Sequence, residues 1–415
     1  MAASSRIGLR GGTAIAHVDA AGFVTRDGRR ATELGWWVAA DDRWHDPREE
    51  PSGRQRLIDG TPVVETKIAV PGGDVVQRAF MVADHGGCVV MEISNESPAA
   101  VVIAVPTSGV ATDAAAAPSE PRGVALPKGR TLPSDVRVFP LAHRSAVRFV
   151  WATAPRVSIT VDGLAGATPV ARGWLGASER ASRVSIDAQT LVAARCQLLL
   201  ATSTEVDDLL QHDAARGVVA IAERVRMGEP VAPHVEQIAD AVRRMLRKPN
   251  ALWASRALVM ASRMLATANE SLASSDLAVA WAEVGAGGTL GGGGDTRSAV
   301  DTRSAADTRS AVDLRSAVDT AAHVEDSLVR AISLYEAEVF ADGIAASWRG
   351  VNFEAHGVPA GPQHTVSLAV RWHGENAALL WEVDGPPGLQ LRATQVDASF
   401  AVSSQRGEAL LRVGA

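Results

Sequence analysis

The sequence predicts a multidomain β + α protein: an N-terminal antiparallel β-sandwich, a helical middle and a small C-terminal antiparallel β-domain. Three observations predict it. Short apolar runs separated by turn residues fill the chain up to residue 203, with turns about every eight to twelve residues. From 204 the apolar spacing becomes helical. Past 345 strict alternation returns, with Val366, Leu368, Val370 and Trp372 against Thr365, Ser367, Ala369 and Arg371. The expected division is 1–203 β-sandwich, 204–285 helical region, 286–320 low-complexity linker, 321–345 helix and 346–415 C-terminal β-domain.

In the first part, strands are expected at Thr61–Val70, Val75–Val82, Cys88–Ile93 and Ala99–Val105. The turns between them are Pro71-Gly72-Gly73-Asp74, Asp84-His85-Gly86-Gly87 and Asn95-Glu96-Ser97-Pro98. Residues 107–135, rich in Ala, Pro, Ser and Gly, read as a long loop. Strands resume at Val136–Phe139, Ala146–Trp151, Val157–Val161 and Arg183–Ile186, and the apolar run Leu191–Ala201 closes the domain. So many strands exceed one small sheet, which points to two packed sheets.

In the helical region Leu210, Ala214, Val218, Ile221, Ala222 and Val225 share one face. Thr204 is the expected N-cap with Asp207 as a capping-box variant, and Gly228 and Pro230 end the helix. Pro233 opens a second helix, acceptable in a first turn, which Pro249 stops. Asn250 and Ser275 cap two more, the last ending at Gly285. A six-residue unit then repeats: Asp295–Val300, Asp301–Ala306, Asp307–Val312, and Asp313–Val318 with Leu314 in place of Thr. On an α-helix such a period turns by about 240° per unit, so the repeat alone forms no apolar stripe. With Asp and Arg alternating, it reads as a disordered or loosely helical insert. A last helix is expected over Ala321–Ala341, with Val324, Leu328, Ile332, Tyr335 and Val339 on one face. In the C-terminal part Ala377–Val383 follows the turn His373-Gly374-Glu375-Asn376. Asp384-Gly385-Pro386-Pro387-Gly388 is the next turn, and strands near Gln390–Ala393 and Glu408–Val413 complete a piece small enough to need the helices as support.

The composition excludes several classes. Of 415 residues, 47% are apolar and 21% charged, with a net charge of −6, which is ordinary for a globular protein. Lys and Arg are scattered, so no nucleic-acid partner is expected. No apolar run approaches the ~20 residues of a membrane span, and no apolar segment follows the basic N-terminus. A cytoplasmic, non-membrane protein is therefore expected. Cys88 and Cys196 lie in apolar runs and read as buried thiols. Metal motifs, a nucleophile elbow and a phosphate loop are absent from the sequence, so no metal and no cofactor is implied.

The densest chemistry is at 36–46, where three Trp, three Asp, one Arg and one His fall within eleven residues. Trp36, Trp37 and Trp44 offer flat apolar faces suited to sugar rings. Asp41, Asp42, Arg43 and His45 can bond hydroxyls. These seven residues are the candidate ligand site. The competing reading makes the Trp side chains sandwich core and the charges a solvated turn. Trp372 and Trp381 are expected as a cross-strand aromatic pair. Asp41/Asp42, Asp207/Asp208 and Glu336/Glu338 are carboxylate pairs adjacent or near in sequence, the last on different faces of its helix. No catalytic residue is assigned.

The stretches Gly60–Thr66, Gln77–Phe80 and Val90–Ser97, with Arg371–Gly374 and Ala378–Glu382, resemble the β-pieces of glucoamylase-type inverting glycosidases and phosphorylases. The order of β-supersandwich, helical region and small C-terminal β-domain is similar too. The resemblance implies association with carbohydrate. About five helices fit here, against the twelve of that family's (α/α)₆ toroid, so the expectation is a non-catalytic, carbohydrate-associated relative. The alternatives are an active glycoside hydrolase acting on an α-glucan or oligosaccharide, and a protein-interaction scaffold using the sandwich face. Oligomeric state is left open.

Overall fold

Among the described residues, antiparallel strands occupy 5–152, eight helices lie between 167 and 328, and mainly antiparallel sheets fill 329–411. The computed structural model describes residues 4–12, 14–26, 33–106, 108–116, 132, 135–153, 159–247, 253–287 and 305–413, with side chains omitted for 282–287 and 305–312. The chain divides into two units, Met1–Leu175 and Gly176–Ala415.

The first unit has a six-stranded sheet in the order Val110–Thr112, Ala146–Ala152, Cys88–Asn95, Gly73–Val82, Val64–Val70, Arg54–Leu57. Its strands alternate between two cores, because successive side chains point to opposite faces. Met81, Val89, Met91, Val147 and Phe149 join Ile7, Phe23, Trp36, Val38 and Ile103 on one side. Phe80, Val82, Cys88, Val90 and Val150 meet Val161, Leu164, Ala167 and Ala171 on the other. That second core rests on helix α1 (Ala167–Glu179), which was not foreseen in a region read as sandwich. Glu92 receives the Arg148 Nε–H at 3.0 Å and the Ala167 N–H at 3.0 Å. A carboxylate thus answers both an arginine and the open amides of a helix start. Two four-stranded sheets complete the unit: Ser5–Gly8, Ile15–Val18, Val24–Arg26, Glu33–Leu34; and Val136–Leu141, Val101–Pro106, Trp37–Ala39, Trp44–His45. Of the strand expected at Val157–Val161, residues 157–158 lie outside the described residues and 159–161 are not strand.

In the second unit the helices are α2 (Ala188–Leu200), α3 (Ser203–His212), α4 (Ala214–Arg226), α5 (Val235–Leu246), α6 (Ala254–Thr267), α7 (Ser271–Gly287) and α8 (Ala305–Leu328). The run Leu191–Ala201, expected as a strand, is α2. It is buried on nearly every side, through Leu191, Val192, Ala194, Cys196 and Leu198–Leu200. A continuous apolar run carries no periodicity to separate strand from helix. Helices therefore begin well before residue 203. Both cysteines are free and buried, and burial pushes the Cys196 thiol up to about 12.

The helix expected to start at Thr204 is two helices. Thr202, not Thr204, is the cap of α3, and its capping box closes with Glu205. Asp213 caps α4 by accepting the Arg216 N–H at 3.2 Å. Gly217 allows this tight pair: a Cβ there would lie 2.4 Å from the Leu210 Cα. Gly217→Ala is expected to cost about 1–3 kcal/mol as α3 and α4 are forced apart. Chemical denaturation checks it, and a variant as stable as wild type would contradict this helix pairing.

Asn250, the expected cap of the third helix, lies outside the described residues; Ser275 is inside α7 rather than at its start. The first two repeat units lie almost wholly outside the described residues, whereas the units from Asp307 and Asp313 are part of α8. Leu314, the residue that breaks the repeat, is buried and begins a stripe with Ala317, Val318, Ala321, Ala322 and Leu328. Leu314, Ala317 and Val318 belong to the last unit and the others to the sequence after it, so a single unit continued by different sequence forms a stripe that units repeated end to end would not.

The helix expected over Ala321–Ala341 ends at Leu328. Val329–Ser333 and Glu336–Val339 instead form a hairpin, and Ile332 and Tyr335 are exposed. The hairpin strand Glu336–Val339 pairs in parallel with Gln390–Arg392. The main C-terminal sheet runs Arg183–Val184, Phe353–Pro359, Thr365–His373, Asn376–Asp384, Arg406–Leu411. Arg183–Val184, expected in the sandwich, is thus an edge of this sheet through pairing with Ala355 and His356. Trp372 and Trp381 are not paired: Trp372 faces Ala377, and Trp381 faces Leu368. Trp381 instead meets Phe400 edge-on at 5.6 Å and lies over Gly407.

Candidate functional site

The segment 36–46 folds as two short strands joined by a tight turn, with Ala39 opposite Trp44 and Val38 opposite His45. This register sends alternate side chains to opposite faces and so separates the rings from the charges. Trp36 is fully buried, its indole N–H donating to the Ala21 carbonyl at 3.0 Å. Trp44 is buried with Ala39, Ala104 and Val138. Trp37 is half-buried, edge-on to Phe23 at 5.4 Å. None of the ten tryptophans of the chain is exposed.

The polar members gather at the turn. Asp41, Asp42 and Arg43 are exposed. His45 is buried beneath them, Nδ1 at 3.0 Å from Glu50 Oε1 and Nε2 at 3.1 Å from Asp42 Oδ1. Arg43 reaches the same Glu50 through two bonds, at 2.7 and 3.2 Å. Burial opposes ionisation of Asp42, but the hydrogen bonds from His45 and from the backbone N–H groups of Asp42 and Arg43, with the attraction of His45, together outweigh it and hold the carboxyl below its usual range. Hydrogen bonding to Glu50 raises the Arg43 guanidinium. The turn therefore holds one carboxylate and one guanidinium, Asp42 and Arg43, braced from below by His45 and Glu50, with the Asp41 carboxylate exposed beside them. Glu50 lies outside the segment, and only the fold brings it in.

A second cluster, which the sequence reading did not find, lies in the helical unit. Glu223 of α4 and Glu325 of α8 have fully buried side chains. Arg195 of α2 donates from Nε to Glu223 at 3.1 Å and from Nη2 to Glu325 at 2.7 Å. Arg226 bonds both oxygens of Glu325, at 2.8 and 2.9 Å, and also pairs with Glu223. Arg256 of α6 pairs with Glu325 and with Asp326. The Ser182 hydroxyl donates to Glu325, and the carbonyls of Ser178 and Ser182 accept from Arg195. Burial opposes ionisation of Glu325, but Arg226, Arg195 and Arg256 together hold its carboxyl well below the usual range. The sequence signal was a charge inside an apolar run: Arg195 within Leu191–Ala201, and Glu223 on the helix that buries Val218, Val219, Ala220 and Ala222.

The carboxylate pairs take other places. Asp207 accepts from the Gln237 side chain at 3.0 Å. Glu336 and Glu338, expected on a helix, sit two apart on a strand, where Glu336 pairs with Arg392 and Glu338 is held by Thr394. Among the described residues no group of His, Cys, Asp and Glu could hold a metal ion, and no helix is long and apolar enough to cross a membrane. Searches against known protein families and curated proteins give no match for this chain.

Proposed function

We propose that this chain is a non-catalytic binding protein and that its ligand class is carbohydrate, met at the turn Asp41-Asp42-Arg43. One observation carries the non-catalytic part. The two carboxylates most withdrawn from water, Glu223 and Glu325, are sealed by arginines with no exposed surface. A general acid or base must reach the substrate's proton, and a carboxylate so enclosed among arginines serves structure. The eight helices among the described residues also fall short of a twelve-helix toroid, so the resemblance to glucoamylase-type proteins supports binding more than hydrolysis.

The braced turn supports the ligand part. A carboxylate and a guanidinium in fixed positions, Asp42 and Arg43, can hydrogen-bond hydroxyls with little ordering cost. Recognition would run through these polar groups, because the Trp36 and Trp44 rings are core. Calorimetric titration with α-glucan oligosaccharides and small sugars tests it. Saturable binding, weakened about tenfold by Asp42→Ala or Arg43→Ala, is expected. A folded protein that binds none of them overturns the carbohydrate assignment. The burial of Trp36 and Trp44, with Trp37 half-buried against Phe23, favours a protein-interaction scaffold as the second reading.

A further inference from the structure

We propose that the last strand of the C-terminal sheet, Arg406–Leu411, pairs antiparallel with the same strand of a second copy of this chain, making one continuous sheet across a two-fold axis. Among the described residues the strand is the open edge of its sheet. The Val383 N–H donates to the Gln405 carbonyl at 2.7 Å, which fixes the direction of every backbone group along the strand. In an antiparallel ladder alternate residues bond to one neighbour. Gln405, Gly407 and Ala409 therefore bond inward, while Arg406, Glu408 and Leu410 turn their N–H and C=O groups to the open side. Such an edge is a template for another strand.

The charges choose both the occupant and the register. Arg406, Glu408 and Leu410 share the outer face with their partners Glu382, Leu380 and Ala378. All three are exposed, Leu410 by 56%. Glu408 makes no described ion pair, whereas Arg406 meets Glu382 at 2.6 Å. Registers centred on Arg406 or Glu408 would set like charges opposite each other, which is unfavourable. A register centred on Ala409 would set Arg406 against Arg412 and Glu408 against Leu410 of the second copy. A register centred on Leu410 needs the Arg412 N–H, which already donates to Asp397 at 3.1 Å. Centring on Gly407 places Arg406 opposite Glu408 of the second copy, twice over. Each arginine then bridges Glu382 of its own chain and the unpaired Glu408 of the other. Gly407 itself leaves room at the axis and lies over Trp381, whose ring a Cβ would strike at 2.4 Å.

Sedimentation equilibrium of the full chain tests this. Wild type is expected to associate reversibly to a dimer. Arg406→Glu and Glu408→Arg are each expected to weaken association about tenfold or more, since each turns two attractive pairs repulsive. The double change Arg406→Glu with Glu408→Arg is expected to restore wild-type association. Glu408→Pro removes an outward N–H while sparing the inward bonds, and is expected to be monomeric. Circular dichroism melts establish that each variant is folded. A wild-type monomer at every soluble concentration overturns the proposal. So does a dimer unaffected by the single changes, or a folded double variant no better than the singles.

Discussion

Glu325→Gln is expected to destabilise the helical unit by about 3–5 kcal/mol, because removing one member of a buried ionic cluster leaves its partners uncompensated. Here the stranded partners are Arg195, Arg226 and Arg256, which converge on Glu325 from three different helices. Denaturant titration at neutral pH measures the loss. The same change should flatten the acid limb of the stability profile. The folded-state carboxyl lies below its ordinary value of 4.5, held there by the arginines against the cost of burial. The unfolded chain therefore takes up a proton that the folded chain refuses as pH falls below that value. The contribution of Glu325 is fully present above it and fades beneath it. Wild-type and variant curves should approach each other as the pH falls below 4.5. Parallel curves would show that folding leaves the Glu325 carboxyl at its unfolded value, which would contradict the hold of the three arginines.

Trp36→Ala is expected to cost about 3–5 kcal/mol through the cavity left in the sandwich core. The ring is fully buried, and the Ala21 carbonyl loses its indole donor. Asp42→Ala, by contrast, removes an exposed side chain and should move stability by less than about 0.5 kcal/mol. Measured together, the two variants separate what the sequence places side by side: one residue of the segment holds the domain and the other faces solvent. A Trp36→Ala protein of wild-type stability would contradict the assignment of that ring to the core.

That separation also marks how far the sequence could be read. Turn signals located the strands Val64–Val70, Gly73–Val82, Cys88–Asn95, Thr365–His373 and Asn376–Asp384, because Pro-Gly-Gly-Asp, Asp-His-Gly-Gly and His-Gly-Glu-Asn punctuate them. Where punctuation is missing, the reading failed. No Gly or Pro separates Leu328 from Val329, so the passage from α8 into a strand left no mark. Leu191–Ala201 is apolar on all sides and carried no period. Pairing across long sequence separations was invisible as well: nothing near Arg183 announces its partner at His356. At the candidate site, composition identified the polar turn, but only the register of Ala39 against Trp44 shows which way each ring points. Arg195, Glu223 and Glu325 stood out only as charges where the apolar pattern wanted none, a signal whose meaning depends on α2, α4, α6 and α8 meeting.

The proposal that Glu223 and Glu325 serve the fold and that the protein leaves its ligand intact has one direct consequence: incubation with α-glucans yields no product. The most direct test is mass-spectrometric analysis of α-glucan oligosaccharides incubated with the wild-type protein, with and without inorganic phosphate, alongside Glu223→Gln and Glu325→Gln. Oligosaccharides recovered unchanged in length under every condition are the predicted result. Shortened chains or sugar phosphates released by wild type, and abolished in a folded Glu223→Gln or Glu325→Gln variant, would contradict it.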